Sequence, residues 1–408
     1  MRNIPELQGF DHSIKFLTGP YSFISENCKK LQSDIFKTRI NLKKTICLTG
    51  KEASEFFNSN IFKRHGAAPE PLRATLFGKR GVQTLDGADH LHRKKLFLSL
   101  MTPRSIESLE RITKKIWEEK SRTWPPGIEI DLYSETQLVH TRAVCEWFGI
   151  HLEGKEIKKR KKELTAMFDQ AAAKNLSHFK TRIERKRAEK WIMKKVGQIR
   201  ATPEEYDSTS PLYIFSLYTD KNGKLLKKRD AAVEILNVLR PTVAVSLYVV
   251  FIAHALHSYP EKYNSREPEL FIQEVRRLYP FFPAIVAKVQ KDTFWKDYHF
   301  EKGTQVMLDL YGINHDERIW EKPFEFNPER FRSWDKSPFD FVPQGTGDHF
   351  LNHRCPGEWI TIRLMKIALE FLTQKIKYTV PDQDLTIDFS RLPANVRNEF
   401  TIKYGAPL

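Results

Sequence analysis

Cysteine is scarce in this chain, with four residues among 408. Cys28, Cys47, Cys145 and Cys355 are scattered, without a C-x-x-C pair or the ligand spacing of a metal finger. Disulfide frameworks belong to small extracellular domains, and thiols stay reduced in the cytoplasm. The cysteine pattern therefore excludes a disulfide scaffold and a zinc finger, and it predicts a cytoplasmic protein.

Long apolar runs are also missing. The N-terminal MRNIPELQGFDHS has no apolar core and is not a signal peptide. The longest apolar run, Thr242–Leu256, is too short for a membrane span and contains His254, so we expect a buried core helix and no transmembrane segment. The chain has no repeat, low-complexity segment or linker, which predicts a single domain over residues 1–408.

Aromatic residues do not alternate with the basic ones. The net charge of +16 favours an anionic partner, such as a fatty carboxylate, a membrane surface or nucleic acid. The basic stretches Lys155–Leu164 and Lys180–Lys195 lack the interleaved aromatics of a nucleic-acid platform, so we expect no nucleic-acid partner. A solvated helix face is the first interpretation of Lys155–Leu164, and a patch for an anionic surface is the alternative.

Hydrophobic patterns predict one long helix and several strands. A helical pattern runs from Arg229 to about Ser258. Strand patterns occur at Ile40–Leu48, Gly303–Tyr311, Lys377–Val380 and Phe400–Lys403.

The segment Phe339–Leu369 organises the chain. A glycine-containing loop ends in His353, Arg354 and Cys355, and Pro356 then opens a helical pattern. Helix N-terminal N–H groups and nearby positive charge lower the pKa of a thiol. The sequence therefore predicts a thiolate that acts as a nucleophile or as a metal ligand. An inert cysteine is the alternative, and it is the more common case for a lone cysteine in a basic loop.

The predicted long helix contains two residues that do not suit its interior. Ala231–His257 is apolar almost all round, so it should be buried, yet Arg240 and Pro241 stand at its centre. An internal proline costs about 3 kcal/mol, and a buried guanidinium without a partner costs more. We expect Arg240 to bind a carboxylate from outside the protein; pairing with the internal Glu234 is the alternative.

Three motifs in order give a family resemblance. They are Glu274-x-x-Arg277, the FNPERF segment with Arg330, and the loop that ends in HRCPGE with Cys355. Together they resemble the cytochrome P450 superfamily. The resemblance implies a mainly α fold with small β-sheets, in which haem b lies between a long distal helix and the helix after the cysteine loop. It also implies that Cys355 ligates the haem iron and that Glu274, Arg277 and Arg330 form a structural triad behind it.

Two departures resemble the fatty-acid peroxygenase branch of that superfamily. No acid precedes Thr242 in the distal helix, and Asp348–Asn352 lengthen the cysteine loop. Other matching segments are LFGKRGVQTLDG, HLHRKKLFLSLMTP, EILNVLRP, QEVRRLYPF, DLYGINHD and SPFDFVPQGTGD. The resemblance implies hydroxylation of long-chain fatty acids at the α or β carbon by hydrogen peroxide, with some decarboxylation to terminal alkenes and no obligatory redox partner.

The same resemblance implies roles for particular residues. Arg240 would hold the substrate carboxylate, which then serves as the acid–base, with Pro241 and Gln83 as further catalytic positions; glutamine at position 83 favours hydroxylation over decarboxylation. The predicted chain-binding residues are Phe77, Phe281, Phe282 and Ile285, with plain core packing as the alternative for the two phenylalanines at 281 and 282. The predicted haem-propionate contacts are Arg64, His90, Lys94 and His353, with a surface role as the alternative.

Two other functions remain open at the level of sequence. One is a fatty-acid monooxygenase fed by an acidic redox partner that docks on the basic surface. The other is a non-catalytic haem or lipid sensor that uses Lys155–Lys162.

Overall fold

The computed structural model describes residues 2–170 and 176–408. Helix accounts for 50% of the structure, which confirms the predicted mainly α class. The helices are α1 (Ser13–Thr18), α2 (Phe23–Leu31), α3 (Lys51–Phe57), α4 (Glu70–Leu72), α5 (Gly87–Leu98), α6 (Pro103–Ser121), α7 (Leu132–Trp147), α8 (Lys155–Asp169), α9 (Leu176–Ala201), α10 (Pro211–Ser216), α11 (Lys228–Ala244), α12 (Ser246–Ser258), α13 (Pro268–Leu278), α14 (Leu310–Asn314) and α15 (Glu358–Gln374). A π-helical turn spans Arg73–Phe77, and 3₁₀ turns span Val82–Thr84, Pro203–Glu205, Pro260–Lys262 and Pro328–Phe331.

The strands form small sheets at the side of the helices. They are β1 (Ile35–Ile40), β2 (Lys43–Leu48), β3 (Phe62–Lys63), β4 (Glu129–Asp131), β5 (Ala284–Val289), β6 (Thr293–Trp295), β7 (Tyr298–Phe300), β8 (Gln305–Asp309), β9 (Ile376–Thr379), β10 (Ile387–Asp388), β11 (Asn395–Val396) and β12 (Thr401–Pro407). The largest sheet has the order β1-β2-β8-β5-β3, and a second has the order β4-β12-β9. Within the largest sheet β2 and β8 are parallel, and its other pairs are antiparallel.

The predicted strand Ile40–Leu48 is wrong at its start. The chain turns at Asn41 and Leu42, whose φ angles are 52° and 61°, so Ile40 ends β1 and β2 begins after the turn. A two-residue hairpin with positive φ at both central positions matches the twist of antiparallel strands. Leucine rarely adopts this conformation, and the sequence therefore gave a weak signal for the hairpin.

Helices α11 and α12 form the centre of the larger hydrophobic core. They follow one another over the 31 residues Lys228–Ser258, which are long enough to cross a membrane and contain an 18-residue window with a mean hydropathy of 1.9. Because 94% of that window is buried inside the protein, the segment has the character of a core helix. The prediction of a buried core helix is thus confirmed. α11 packs on α7, α8 and α9, and α12 packs on α7, α13 and α15.

Helix α15 brings the cysteine loop towards this central helix. Its buried side includes Ile360, Leu364 and Ala368, spaced as one face of a helix requires. This face packs against α6, α12 and α13. The start of α15, which follows Cys355, is therefore fixed relative to the helix that carries Arg240.

Candidate active site

Cys355 lies at the end of a turn-rich loop directly before α15. Its backbone N–H donates to the carbonyl of Gln344 at 3.1 Å, and the helix begins at Glu358. At Gly347, with φ of 90°, a Cβ would stand 2.5 Å from Oδ1 of Asn58, so only glycine fits. The loop thus holds Cys355 at the helix N-terminus, as the sequence predicts.

The surroundings of Cys355 raise the pKa of its thiol. Burial is the main cause, and the backbone N–H of Gly357 and the ammonium of Lys94 oppose it only in part. The prediction that this loop by itself lowers the pKa is wrong, because the cost of removing a thiolate from water outweighs the local positive charge. A bound metal ion deprotonates a thiol outright. These surroundings suit a metal ligand better than a free nucleophile.

The part of the chain that the structure describes offers Cys355 no partner ligands for a metal. Among the residues that the structure describes, no group of three or more His, Cys, Asp and Glu side chains could hold a metal ion. Cys355 is half-buried beside the N-terminus of α15. A metal bound to its Sγ must bring its other ligands with it. This donor set fits the iron of a haem, which needs only an axial thiolate from the protein.

The four predicted propionate contacts converge from separate segments. The rings of His90 on α5 and His353 in the cysteine loop stack at 3.8 Å. The Nη1 of Arg64 donates to the carbonyl of Val286 at 2.8 Å. The Nζ of Lys94 donates to backbone carbonyls of the cysteine loop, at 3.1 Å in the case of Arg354. Lys94 thus already holds the loop in place.

These converging groups are poorly neutralised. Burial, together with Lys94, lowers the pKa of His90 to about 4, and burial with the charges of Arg64 and His90 lowers the pKa of His353 well below its usual value. Burial lowers the pKa of Arg64 to about 10, although Asp86 opposes it. Burial thus favours the neutral form of both imidazoles, whereas Arg64 stays charged and can bind an anion. A carboxylate such as a haem propionate would pair with Arg64 and accept hydrogen bonds from the imidazoles.

Glu274, Arg277 and Arg330 meet in one buried cluster. Glu274 lies 2.8 Å from Arg277 and 3.2 Å from Arg330, with the first pair fully buried. Arg277 also donates to the carbonyls of Asn314 and Pro323 at 2.8 Å each. The cluster ties α13 to FNPERF itself and to the segment that precedes it.

A second charge network joins the cysteine loop to α13 and was missed from the sequence. Glu358, in the first turn of α15, accepts hydrogen bonds from Arg276 and from Arg354, the latter at 2.8 Å. Burial raises its pKa, but Arg276, His349 and Arg354 together hold it well below the usual range. Arg276 also donates to the side chain of Gln344 at 3.1 Å. The signal was available in the arginine beside Arg277 and in the glutamate directly after CPG.

Arg240 is buried in the middle of α11 and has no partner. It is 5% exposed, and it forms no hydrogen bond or ion pair with any residue that the structure describes. Burial and the charge of Arg185 lower its pKa to about 9, and Cys355 opposes them. The electrostatic link to Cys355 places both residues around the same central region. A guanidinium in this position can bind a carboxylate by two parallel hydrogen bonds.

The internal acid that could have paired with Arg240 is occupied elsewhere. Glu234 lies 2.6 Å from Arg93 and also accepts hydrogen bonds from the side chain of Asn237 and the backbone N–H of Val82. Because Glu234 is saturated by these donors, it leaves Arg240 free. This excludes the alternative of a Glu234–Arg240 pair.

Gln83 and Pro241 lie beside this network. The amide of Asn237 donates to Oε1 of Gln83 at 3.2 Å, so Gln83 faces α11. Pro241 interrupts α11 without ending it and is half-buried between fully buried neighbours. Its missing N–H leaves the carbonyl of Asn237 without a helical partner. The sequence pointed to Pro241 and Gln83, but it gave no sign that Asn237 connects them.

The predicted chain-binding residues fall into two hydrophobic clusters. Phe77 and Phe281 pack against the larger core, and Ile285 on β5 packs against the smaller one. Phe282 touches both cores. Phe281 stacks on Tyr248 at 4.8 Å, which gives it a packing role as well. All four predicted residues are half-buried, so each keeps some surface outside the core contacts.

Comparisons with known proteins indicate the family of this chain. A sequence profile of the cytochrome P450 family matches residues 269–403. Among curated proteins, a 128-residue segment is 30% identical to dimethylnonatriene synthase of Arabidopsis thaliana and covers 24% of it. Beta-amyrin 28-monooxygenase of Solanum lycopersicum matches at 22% identity over 95% of this chain and 89% of its own. The chain thus spans about a quarter of the first curated relatives it matches.

Solved structures match over the full length. Cytochrome P450EX alpha (CYP152N1), solved with myristic acid, is 42% identical, with a TM-score of 0.97 and 100% of both chains covered. Cytochrome P450SP alpha (CYP152B1), in complex with (R)-ibuprophen, is 44% identical, with a TM-score of 0.94 and 97% and 98% covered. A cytochrome P450 OleT variant in complex with arachidonic acid is 31% identical, with a TM-score of 0.95 and 99% of both chains covered.

The fold and the single cysteine donor define a haem-thiolate oxidoreductase. The chain belongs to the cytochrome P450 family, in the branch of the CYP152 fatty-acid peroxygenases. The predicted family and fold are therefore confirmed.

Proposed function

We propose that this enzyme hydroxylates long-chain fatty acids at the α or β carbon with hydrogen peroxide as the oxidant. The observation on which the proposal rests is Arg240, a buried cation without a partner on a helix that lacks a free acid. Two similar structures contain myristic acid and arachidonic acid, and these ligands support a fatty-acid substrate. We propose that terminal alkenes from decarboxylation are only a minor product, because position 83 is glutamine.

Arg240 binds and orients the substrate. Its planar guanidinium binds both oxygens of the substrate carboxylate. The negative charge of that carboxylate neutralises the guanidinium, which is otherwise costly to bury. A fixed carboxylate brings the α and β carbons nearest to the reacting centre. Pro241 and Gln83 shape the space beside it, and the aromatic and aliphatic side chains at positions 77, 281, 282 and 285 contact the alkyl chain.

The bound carboxylate moves the proton that peroxide cleavage requires. Breaking the O–O bond of hydrogen peroxide needs a proton taken from one oxygen and delivered to the other, which leaves as water. Glu234 cannot serve, because Arg93, Asn237 and the backbone of Val82 already bind it. The substrate therefore supplies the acid–base group, and reaction requires that peroxide and fatty acid be present together.

Haem b is the proposed cofactor. Bound through Cys355, it would supply the redox chemistry for hydroxylation of a C–H bond by peroxide. Arg64, His90 and His353 would hold its propionates, and Lys94 would fix the loop that carries the thiolate. We further propose that the enzyme acts in the cytoplasm and needs no reductase.

The test is product analysis after incubation of the purified holoenzyme with myristic acid and hydrogen peroxide. We expect 2- or 3-hydroxymyristic acid without NADPH or any redox protein. Arg240→Ala should lower turnover at least a hundredfold and keep the haem spectrum. Arg111→Ala, which removes an exposed arginine on α6, is the matched control and should keep full activity. Product formation that requires a reductase, or an Arg240→Ala variant with full activity, would refute the proposal.

A further inference from the structure

A second cluster of cations lines a surface cavity that the proposed reaction does not use. The cavity has a volume of about 230 Å³. It lies between the segment that follows α4, helix α9 and the start of α11. Ala74 is its only uncharged lining residue, and the others are Lys79, Arg182, Arg185, Lys186 and Arg229.

Positive charge dominates this cavity even after its neighbours are considered. Glu70 lies 3.7 Å from Lys79 and 3.9 Å from Arg182, at the outer edge of an ion pair. Glu189 accepts hydrogen bonds from the other two lining arginines at 2.9 and 3.0 Å. Lys186 forms no ion pair with a residue in the described ranges. Among the described residues, two carboxylates thus pair with these five cations, and positive charge remains in excess.

One of these cations is buried with a donor left over. Arg185 is 2% exposed, and it binds the carbonyls of Thr75 and Leu76 at 3.1 Å each. Its Nη2 has no hydrogen-bond partner among the described residues. A Cβ at Gly78 would stand 2.5 Å from this Nη2, so glycine keeps the space around it open. A buried donor without an acceptor is costly, and an oxyanion in the cavity would lower that cost.

We propose that this cavity is a binding site for a phosphate-bearing ligand. A phosphate monoester carries a charge of about −1.5 to −2 near pH 7 and three acceptor oxygens, which matches the excess of cations better than one carboxylate does. Arginine forks bind phosphate oxygens in pairs. The cavity has room for the phosphate group and the first part of the molecule attached to it.

The phosphate can come from a soluble ester or from a lipid headgroup. Phe179 and Ile183 are 64% and 37% exposed. They lie one turn apart on α9, the helix that also supplies Arg182 and Lys186 to the cavity. Exposed apolar side chains next to a cationic site suit a lipid as well as a soluble ligand. The experiment therefore includes both sources.

Isothermal titration of inorganic phosphate and of glycerol 3-phosphate into the holoenzyme at low ionic strength tests the site, with chloride at equal ionic strength as the reference. Co-sedimentation with phosphatidic acid vesicles and with phosphatidylcholine vesicles tests the lipid source. The cavity variant is Arg182→Gln with Lys186→Gln. The matched control is Lys190→Gln with Lys194→Gln, which removes the same charge from exposed positions of α9 outside the cavity.

We expect saturable phosphate binding that weakens at least tenfold in the cavity variant and less than twofold in the control. Tighter binding of glycerol 3-phosphate than of inorganic phosphate would indicate that the ligand is a soluble phosphate ester. Sedimentation with phosphatidic acid alone, lost in the cavity variant, would assign a lipid headgroup. Equal losses in both variants, or no saturable binding together with no preference for phosphatidic acid, would overturn the proposal. Because no fatty acid or peroxide is present, the outcome does not depend on the proposed reaction.

Discussion

At the scale of single residues, the distal site is built around a charge that the protein does not neutralise. Arg240 is buried without a partner among the residues that the structure describes. Three other arginines are paired: Arg93 with Glu234, Arg276 with Glu358 and Arg277 with Glu274. Stability favours pairing such a charge or replacing it with an apolar side chain. An unpaired cation therefore indicates a residue that is kept for its ligand.

Replacing Arg240 with methionine should stabilise the substrate-free holoenzyme. The change removes an unpaired buried charge and keeps most of the volume, so we expect the free energy of unfolding to rise by about 1–3 kcal/mol and the melting temperature by about 1 °C per kcal/mol. Differential scanning calorimetry with and without myristic acid checks this. Myristic acid should raise the melting temperature of the parent protein and leave that of the variant unchanged. A lower melting temperature for the variant would mean that Arg240 has a structural partner.

His140 gives a prediction on pH. It is 1% exposed on α7, neither ring nitrogen has a hydrogen-bond partner among the described residues, and burial lowers its pKa to about 3 against opposition from the backbone of Val243. The unfolded chain takes up this proton near pH 6.5, so stability is present above that pH and is lost as the pH falls towards 3. Between pH 7 and 4.5 the loss is about 2–3 kcal/mol.

Urea unfolding at both pH values measures this loss. His140→Phe should remove about 2–3 kcal/mol of the pH dependence, whereas His151→Phe, at an exposed position, should leave it intact. The same pH dependence in the parent protein and in His140→Phe would show that His140 titrates normally in the folded state.

At the scale of elements, α11 is interrupted where its residues are needed for the site. Pro241 follows Arg240 directly and leaves the carbonyl of Asn237 without its helical partner. The side chain of Asn237 meanwhile connects Glu234 to Gln83. The irregular turn of α11 and the loop that carries Gln83 are thereby held together, and the regular parts of the helix on both sides provide the buried apolar contacts.

Replacing Pro241 with alanine should stabilise α11 and impair the reaction. The variant regains an N–H for the carbonyl of Asn237, which predicts a gain of about 1–3 kcal/mol in the free energy of unfolding, while the position of Arg240 shifts and turnover falls several-fold. Pro268→Ala is the control, because Pro268 lies in the first turn of α13, where proline costs little. Urea unfolding and initial rates measure the two effects. Unchanged stability and turnover in Pro241→Ala would contradict the role assigned to this turn.

At the scale of the whole molecule, the two sides of the site depend on a prosthetic group for their charge balance. Burial disfavours the charged forms of Arg64, His90 and the Cys355 thiol, as the directions of their pKa shifts show. Carboxylates of the cofactor would compensate the first two, and its metal would compensate the third. The folded protein should therefore be substantially more stable with the cofactor than without it.

Removal of haem should lower the melting temperature by at least 10 °C, and one transition should remain for residues 1–408. Adding haem back should restore the melting temperature and the haem absorbance, and both should saturate at the same ratio of haem to protein. Thermal scans followed by circular dichroism and by haem absorbance measure this. Two separated transitions in the holoenzyme would show that the chain unfolds as more than one domain.

Much of the fold could be predicted because its main signals are local. Apolar residues all round the segment 231–257 predicted a buried helix, and the structure contains it. The strand Gly303–Tyr311 was predicted from its composition, and β8 covers its central part, Gln305–Asp309. The hairpin at Asn41 and Leu42 was missed, because positive φ at leucine depends on how two strands pair and not on the preference of the residue itself.

The sequence alone determined where the reactive groups lie along the chain. It placed Cys355 before a helix and Arg240 inside an apolar one, because helix signals and hydrophobic periodicity extend over a few residues only. The tertiary structure decided which charges are neutralised. In the folded chain Glu234 pairs with Arg93, Arg240 has no partner among the described residues, and burial raises the pKa of Cys355. Burial and partner choice arise from segments more than a hundred residues apart, and only the folded chain brings those segments together.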